Sequence, residues 1–378
     1  MRFLTAGESH GPCLTVVVDG LPAGLRIDIE AIDRELARRQ SGYGRGGRMT
    51  IETDRIEVLG GVLDGRTIGA PVALRIENRD WAHWKEHWAA GDLEPLTVPR
   101  PGHADYAGMA KYALDDVRPV LERASARETA ARTAVGAIAK GLLARFGARV
   151  FSYVEAIGEA EATIPDGRPD VIHDRAERSA VRCPDDEAER RMTVAIDAAR
   201  ESGDSLGGRF VVVAVGVPIG LGSYVQWDRR LDARLAAAVM SIPAIKGVEI
   251  GPAFENARRP GTSVHDPFHP GPGEVPVRGS NRAGGTEGGV SNGEPIVVRA
   301  AMKPIPTTVA PQHSVDLRSG EPAVTQYQRS DVCAVPAAAI VGEAMVAWTL
   351  ATALREKLGG DSVDEMASHG KAWGLDVE

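Results

Sequence analysis

Two histidines in glycine-flanked turns are the residues of this sequence best suited to moving protons. One lies beside a serine in Gly7-Glu8-Ser9-His10-Gly11-Pro12, the other in Arg100-Pro101-Gly102-His103-Ala104-Asp105-Tyr106. Imidazole exchanges a proton near neutral pH and can hand it to a leaving group. A turn histidine facing solvent is the competing reading of each. Arginines crowd the neighbouring segments. Arg38, Arg39, Arg45 and Arg48 bracket the loop Gly42-Tyr43-Gly44-Arg45-Gly46-Gly47, while Arg118, Arg123 and Arg127 surround Ser125. Guanidinium forks match carboxylate and phosphate oxygens two at a time. The bland alternatives are a solvated basic loop and plain pairing with Asp115, Asp116, Glu122 and Glu128.

Ser125-Ala126-Arg127-Glu128 has the capping-box pattern, and a helix start offers free amides and a positive dipole end to an anion. The stretch Gly284-Gly285-Thr286-Glu287-Gly288-Gly289-Val290-Ser291-Asn292-Gly293 runs into a strand ending at Lys303-Pro304-Ile305-Pro306-Thr307. Such a loop suits main-chain contact with a flat or phosphorylated cofactor, although surface loops of this kind are common. Gln328-Arg329-Ser330-Asp331 then leads through Val332-Cys333-Ala334-Val335-Pro336 into an apolar helix. Two histidines, many arginines and two glycine loops together describe a site for a polyanion.

Two other patterns compete for attention. Residues 42–47 match GxGxxG, but that fingerprint works between a strand and a helix, and here it follows a helix and precedes a strand. A dinucleotide fold is therefore excluded. His83-Trp84-Lys85-Glu86-His87 matches HxxEH, which would put two zinc ligands on one helical face with Glu86 as base. No further ligand is identifiable, and Trp81, Trp84 and Trp88 suggest a packed aromatic segment instead, so no metal is expected.

The elements that must position these residues follow from period and caps. A strand at 3–5 leads through a glycine turn to a second at 14–19, which alternates poorly and reads as buried. Asp28 caps a helix carrying Ile29, Ile32 and Leu36 on one face and ending at Gly42. Strands fit 49–51, 56–59 and 72–76. An alanine-rich helix runs from Ser125 to about Phe146, followed by strands at 150–157 and 209–217 with a helix at 186–201 between them. The last long helix starts at Pro336 and stops before Gly359-Gly360. Strands and helices mix without strict alternation, which predicts α+β layers in one large domain over residues 1–378.

Composition is that of an ordinary globular protein. Of 378 residues, 43% are hydrophobic and 25% charged, and the mean hydropathy is −0.16. The net charge of −8 disfavours a broad nucleic-acid surface. Seven of the 44 Lys+Arg residues are Lys, so the basic groups are overwhelmingly arginine. Cys13, Cys183 and Cys333 lie far apart without a CxxC pair, which fits a reducing compartment. The N-terminus is too polar for a signal peptide, and no stretch reads as the ~20 apolar residues of a membrane span. A cytoplasmic protein with no membrane or nucleic-acid partner is expected.

Over nearly its whole length the sequence resembles the chorismate synthases. The resemblance rests on residues 7–11, 42–49, 100–106, 118–131, 244–251, 281–293, 303–307 and 329–336, in this order and spacing. Cys13 and the Pro243-Ala244 pair are its small departures. The resemblance implies a homotetramer of subunits with a β-α-β sandwich core. It also implies a 1,4-anti elimination of phosphate from 5-enolpyruvylshikimate-3-phosphate, giving chorismate at the last common step of the shikimate route to aromatic amino acids. Reduced FMN is the implied cofactor, recovered unchanged. NADPH is a possible reductant of that flavin, but with no added reductase domain in view an outside reductant is favoured.

Residue by residue, the resemblance implies FMN contacts at Arg123, Ala124, Ser125, Pro243, Ala244, Gly288, Lys303, Pro304, Ile305, Pro306, Thr307 and Arg329, with Arg39 and Arg45 also on the cofactor side. Substrate-side arginines are Arg39, Arg45, Arg48, Arg100, Arg127 and Arg329. His10 and His103 match the catalytic histidines, and Ser9 and Asp331 match proposed proton shuttles. A zinc hydrolase built on His83 and His87, and a non-catalytic anion-binding module, are the rival readings.

Overall fold

The computed structural model describes residues 1–47, 52–91, 93–165, 167–375 and 377. Arg48 and the strand expected at 49–51 lie outside them. Among the described residues, four strands form an antiparallel sheet in the order β1-β2-β4-β3: β1 (Arg2–Ala6), β2 (Cys13–Asp19), β3 (Ile56–Gly60) and β4 (Val72–Glu77). Leu14, Val16 and Val18 of β2 are buried while Val17 faces out. The strand therefore hides one face only, not both as its sequence suggests.

A second antiparallel sheet runs in the order β8-β9-β7-β5-β6. Its strands are β5 (Arg149–Ile157), β6 (Ala160–Glu161), β7 (Gly208–Val215), β8 (Ile245–Ile250) and β9 (Ile296–Met302). Between the sheets lie helices α1 (Ile29–Gln40) and α5 (Thr129–Ala144), together with α9 (Val335–Leu358). This is the expected β-α-β sandwich. α5 and α9 are rich in alanine and glycine because their backbones nearly touch: a Cβ on Gly136 would lie 2.2 Å from the Cβ of Ala344.

α9 is buried all round and long enough to cross a membrane, with 94% of its most apolar stretch inside the protein. The sequence reading missed that this stretch passes a length and hydropathy test; burial between two sheets is what makes it apolar on every face. α1 starts where the Asp28 carboxylate accepts from the amide of Ala31 at 2.9 Å, and it buries Ile32 and Leu36. Ile29 sits at its exposed first turn, outside the core it was expected to join. The 186–201 helix, α7 (Asp186–Glu201), has the expected bounds.

α5 begins later than its cap. Ser125 accepts from the amide of Arg127 at 3.2 Å over a 3-10 turn, Ala126–Glu128, and only then does the α-helix start. Glu128 does not close the capping box. Its carboxylate accepts from the Thr5 hydroxyl at 2.8 Å and from Arg132 instead. Three short helices complete the frame around the histidine turns: α2 (Trp81–Ala90), α3 (Asp105–Tyr112) and α4 (Arg118–Arg123). Among the described residues the other helices of ten residues are α6 (Pro169–Arg178), α8 (Leu231–Met240) and α10 (Val363–Ala372).

Candidate active site

β1 leaves its sheet at Gly7, whose φ of +108° places any added Cβ 2.4 Å from the carbonyl oxygen of Cys13. Only glycine makes that bend, and it swings Ser9 and His10 towards α4. The Ser9 amide donates to the backbone oxygen of Glu122 at 3.1 Å, and the His10 amide to its Oε2 at 2.7 Å. Nδ1 of His10 lies 2.8 Å from Oε1 of the same carboxylate. The ring of Trp84 covers the His10 ring at 4.6 Å, so α2 serves as a wall. The Asn78 amide donates to Glu8 and Gly11 carbonyls at 3.0 and 2.8 Å, pinning both ends of the turn. Ser125 donates to the Ser9 hydroxyl at 3.0 Å.

The second histidine is held by the residue two places on. Nδ1 of His103 contacts Oδ1 of Asp105, a fully buried carboxylate at the first position of α3. Arg100 donates to Asp105 through Nε at 2.8 Å and Nη2 at 3.0 Å, and reaches the Thr307 hydroxyl with Nη1 at 3.1 Å. Burial disfavours the charged form of Asp105, but hydrogen bonds from His103 and Arg100 hold it well below the usual carboxylate range. Lys303 Nζ donates to the Gly102 carbonyl at 2.6 Å, and burial, with help from Lys246, lowers its ammonium pKa. A cavity of about 130 Å³ backs onto Arg100 and Asp105, walled by Leu96, Val98, Val117 and Leu121.

The arginine-rich segments converge on these turns. Arg45 pairs with Asp331 at 2.7 Å, and the Gly46 amide donates to the other Asp331 oxygen at 2.7 Å. A Cβ on Gly46 would meet the Ser330 carbonyl at 2.4 Å, so the glycine loop is stitched flat against residues 330–333. Ser330 in turn donates to the Thr307 carbonyl at 2.9 Å. Arg329 reaches Asp80, at the foot of α2, with Nη2 at 2.8 Å. The loop 42–47 does follow a helix, so the rejected dinucleotide reading gains nothing from the geometry.

Arg39 and Arg127 lie one layer back. Both are buried and share Asp54, at 3.4 Å and 2.5 Å. Arg39 also donates to Thr129 at 2.9 Å and to the Ala126 carbonyl at 3.1 Å, while Arg127 donates to Asn78 at 2.8 Å. Burial draws the Arg39 guanidinium down to about 10, against the pull of Asp54. These two arginines shape the floor on which Ser125 sits. Arg123 is exposed and donates to Thr5, while Ala124 precedes the Ser125 cap. Ala244 takes a left-handed φ of +68° and accepts from the Lys303 amide at 3.0 Å, which brings the Pro243-Ala244 turn beside residues 303–307. The Ile305 carbonyl accepts from Ser205 at 2.6 Å, and Pro304 and Pro306 flank it.

Gly288 does not join this group. Its hairpin precedes Ile296, at the opposite end of β9 from Lys303, and seven extended residues span about 20 Å. His83 faces Asp80 at 3.3 Å with a largely exposed ring, and among the described residues no group of three His, Cys, Asp or Glu comes together as a metal site. Sequence reasoning missed Asp105, Glu122, Asp54, Asn78 and Trp84. Asp105 had a local signal, two residues after His103. Glu122 had been read as a partner for arginines, yet it serves a histidine 112 residues away.

The donor set fits a phosphorylated, anionic cofactor and a carboxylated substrate: Arg45, Arg100 and Arg329, the part-desolvated Lys303, and hydroxyls at Ser125 and Thr307. Comparison with known proteins agrees. Residues 1–354 match the chorismate synthase family model. The chain is similar to chorismate synthase of Desulforudis audaxviator, 56% identical over 97% of this chain and 95% of the relative, and to that of Rubrobacter xylanophilus, 57% identical over 96% and 94%. A solved structure described as the crystal structure of chorismate synthase is 46% identical, covers 98% of this chain and 96% of its own, and superposes with a TM-score of 0.80.

Proposed function

The chain belongs to the chorismate synthase family, and on that premise we propose that it eliminates phosphate from 5-enolpyruvylshikimate-3-phosphate with reduced FMN bound between Lys303–Thr307 and the His103 turn. The observation that carries this reading is the pair of histidines, each backed by a buried carboxylate, beside Arg45, Arg100 and the half-exposed Arg329. The substrate class is a small molecule with two carboxylates and a phosphate monoester, which needs several guanidinium forks to hold it. Arg45, Arg100 and Arg329 would supply them, with Arg39 and Arg127 holding the floor. Arg48 belongs to the same substrate side by resemblance alone. When bound, reduced FMN supplies an electron-rich ring that is recovered unchanged.

The residues then have distinct tasks. His10, once it has taken up a proton on Nε2, hands that proton to the departing phosphate, where negative charge grows during elimination. His103 holds or moves a proton beside the flavin. Ser9, hydrogen bonded to Ser125, and Asp331, hydrogen bonded to Gly46, relay protons between cleft and solvent. Lys303, the Pro243-Ala244 turn, Ser125 and residues 304–307 contact the cofactor, and Arg123 lies at its edge. Gly288 belongs to the cofactor side by resemblance alone. The enzyme is a lyase, a single domain over residues 1–378, a homotetramer and cytoplasmic. Its flavin is reduced by an outside reductant. Assembly and location rest on the family resemblance alone.

An anaerobic assay with substrate and chemically reduced FMN tests the reading. Chorismate and phosphate are expected in equal amounts, with no flavin consumed. Turnover with oxidised FMN, rigorously free of reductant, would sink it.

A further inference from the structure

We infer that Asp105 and Glu122 are the positioning residues of this site, fixing His103 and His10 in the tautomer that protonates Nδ1 and leaves Nε2 to work in the cleft. The inference rests on the catalytic reading of the two histidines and deepens it. Both carboxylates are buried, on neighbouring helices, and each touches its histidine through Nδ1. α3 and α4 pack so closely that a Cβ on Gly108 would meet the Val120 side chain at 2.7 Å. The two carboxylates are thus carried by one rigid unit, and the histidines by two separate turns.

The tautomer follows from hydrogen counting at His103. Asp105 is held ionised, so it brings no proton to its contact with the ring. The proton between them must sit on Nδ1. Arg100 Nη2 lies 3.1 Å from the same ring nitrogen and 3.4 Å from Nε2, which puts it over the ring face and not in the plane of either lone pair, and it has its own acceptor in Asp105 Oδ1 at 3.0 Å. Two donors therefore converge on one carboxylate oxygen, and Nε2 of His103 keeps its lone pair. At His10 the Glu122 carboxylate takes the backbone amide on Oε2 and Nδ1 on Oε1, which locks turn and ring together. Trp84 on the ring face removes the remaining rotation. A carboxylate in this place sets orientation and tautomer without touching substrate.

The two pairs also differ. Asp105 is shared with a permanent cation, whereas the contacts of Glu122 go to the amide of Ser9 and to His10. Losing the carboxylate at Asp105 leaves Arg100 Nη2 facing His103 Nδ1, an arrangement relieved when the ring proton moves to Nε2 and Nδ1 becomes an acceptor. Losing it at Glu122 frees a turn.

The test uses the full-length protein without cofactor, carrying isotopic nitrogen in histidine, at a pH where imidazoles are neutral. Nitrogen spectra assigned by the His103→Gln and His10→Gln variants should show Nδ1 protonated and Nε2 bare at both rings. Asp105→Asn and Glu122→Gln should move the proton to Nε2 or mix the two forms. In anaerobic single-turnover assays those variants should lose about 10²–10⁴-fold in rate, with substrate affinity changed less than about 3-fold. Asp105→Glu should recover part of the rate. Wild-type rings protonated at Nε2 would overturn the inference, as would Asp105→Asn turning over at the wild-type rate. Equal losses of rate and affinity would reduce both residues to scaffolding and overturn it too. An inactive wild-type protein with normal tautomers would instead sink the proposed reaction and leave the tautomer assignment standing.

Discussion

Consecutive arginines at the end of α1 enter two different ion clusters. Arg38 turns inward to Glu343, a carboxylate with no exposed surface in the middle of α9, at 2.9 and 3.0 Å. Lys140 from α5, Arg182 and the Ser152 hydroxyl converge on the same group, while Glu35 and Glu177 balance the surplus of base. Three cations meet three anions there. Burial opposes the charge of Glu343, yet Lys140, Arg38 and Arg182 hold its carboxyl far below the ordinary range. The cleft cluster uses the same residue types differently. Its acids Asp105, Glu122 and Asp80 are buried, and of its bases Arg329 is half exposed while Arg45 and Arg100 are nearly covered. Among the described residues Lys303 donates to the Gly102 carbonyl and is in no carboxylate ion pair. The first cluster, sealed around one carboxylate that three bases share, binds helices together; the second is spread over separate carboxylates and keeps Arg329 and Lys303 as donors for a ligand.

The largest effect expected from breaking this contrast is on turnover. His10→Ala and His103→Ala should each slow anaerobic single turnover by about 10²–10⁴-fold, or about 3–5 kcal/mol of barrier, with much smaller losses in binding. The exposed His265 should show neither loss. Wild-type rates in both variants would erase the distinction between the clusters.

Glu343→Ala removes the hub of the sealed cluster and leaves three cations with two carboxylates, Glu35 and Glu177. Stability should fall by about 3–5 kcal/mol, read from urea unfolding. The surviving folded protein should bind substrate with nearly unchanged affinity. A large loss of affinity at full folding would show that the sealed cluster reaches into the site.

Arg45→Ala should weaken substrate binding by about 2–5 kcal/mol through loss of a charge-assisted contact and an orphaned Asp331. Arg178→Ala, an exposed change at the end of α6, should cost under ~1 kcal/mol. Equal dissociation constants for the two variants would remove Arg45 from the substrate surface.

The smallest effect is on acid stability. Burial raises the Glu177 carboxyl, but hydrogen bonds from Arg38 and Arg182 outweigh it and bring it from 4.5 to about 2. A carboxylate depressed in the folded state stabilises above its unfolded value, and that stability fades as pH falls from about 4.5 towards 2. Unfolding midpoints measured across this window should drop for the wild type and drop less steeply for Glu177→Gln. Parallel curves would place Glu177 outside the cluster.

Much of the frame was readable locally. The cap at Asp28, the bounds of α7 and the start of α9 beside Pro336 follow from periodicity and capping chemistry acting within a few residues. The bend at Gly7 and the glycine loop against residues 330–333 follow from backbone space that only glycine leaves. Residue types alone also marked His10, His103 and the arginines as a site for anions, and motif order named the family.

Packing decided the rest. Nothing in spacing says that Arg38 turns to a carboxylate 305 residues on while Arg39 turns to Asp54. Nor does it say that Glu122 serves His10, or that Gly288 lies a strand's length from Lys303. The apolar run of α9 reads alike for a membrane span and a core helix, and only the two sheets around it tell them apart. An ion pair is chosen by which surfaces are buried together and which charges burial forbids to stand alone. That choice is a property of the assembled layers, so the sequence determined which chemistry was present and the tertiary structure determined which groups were left to perform it.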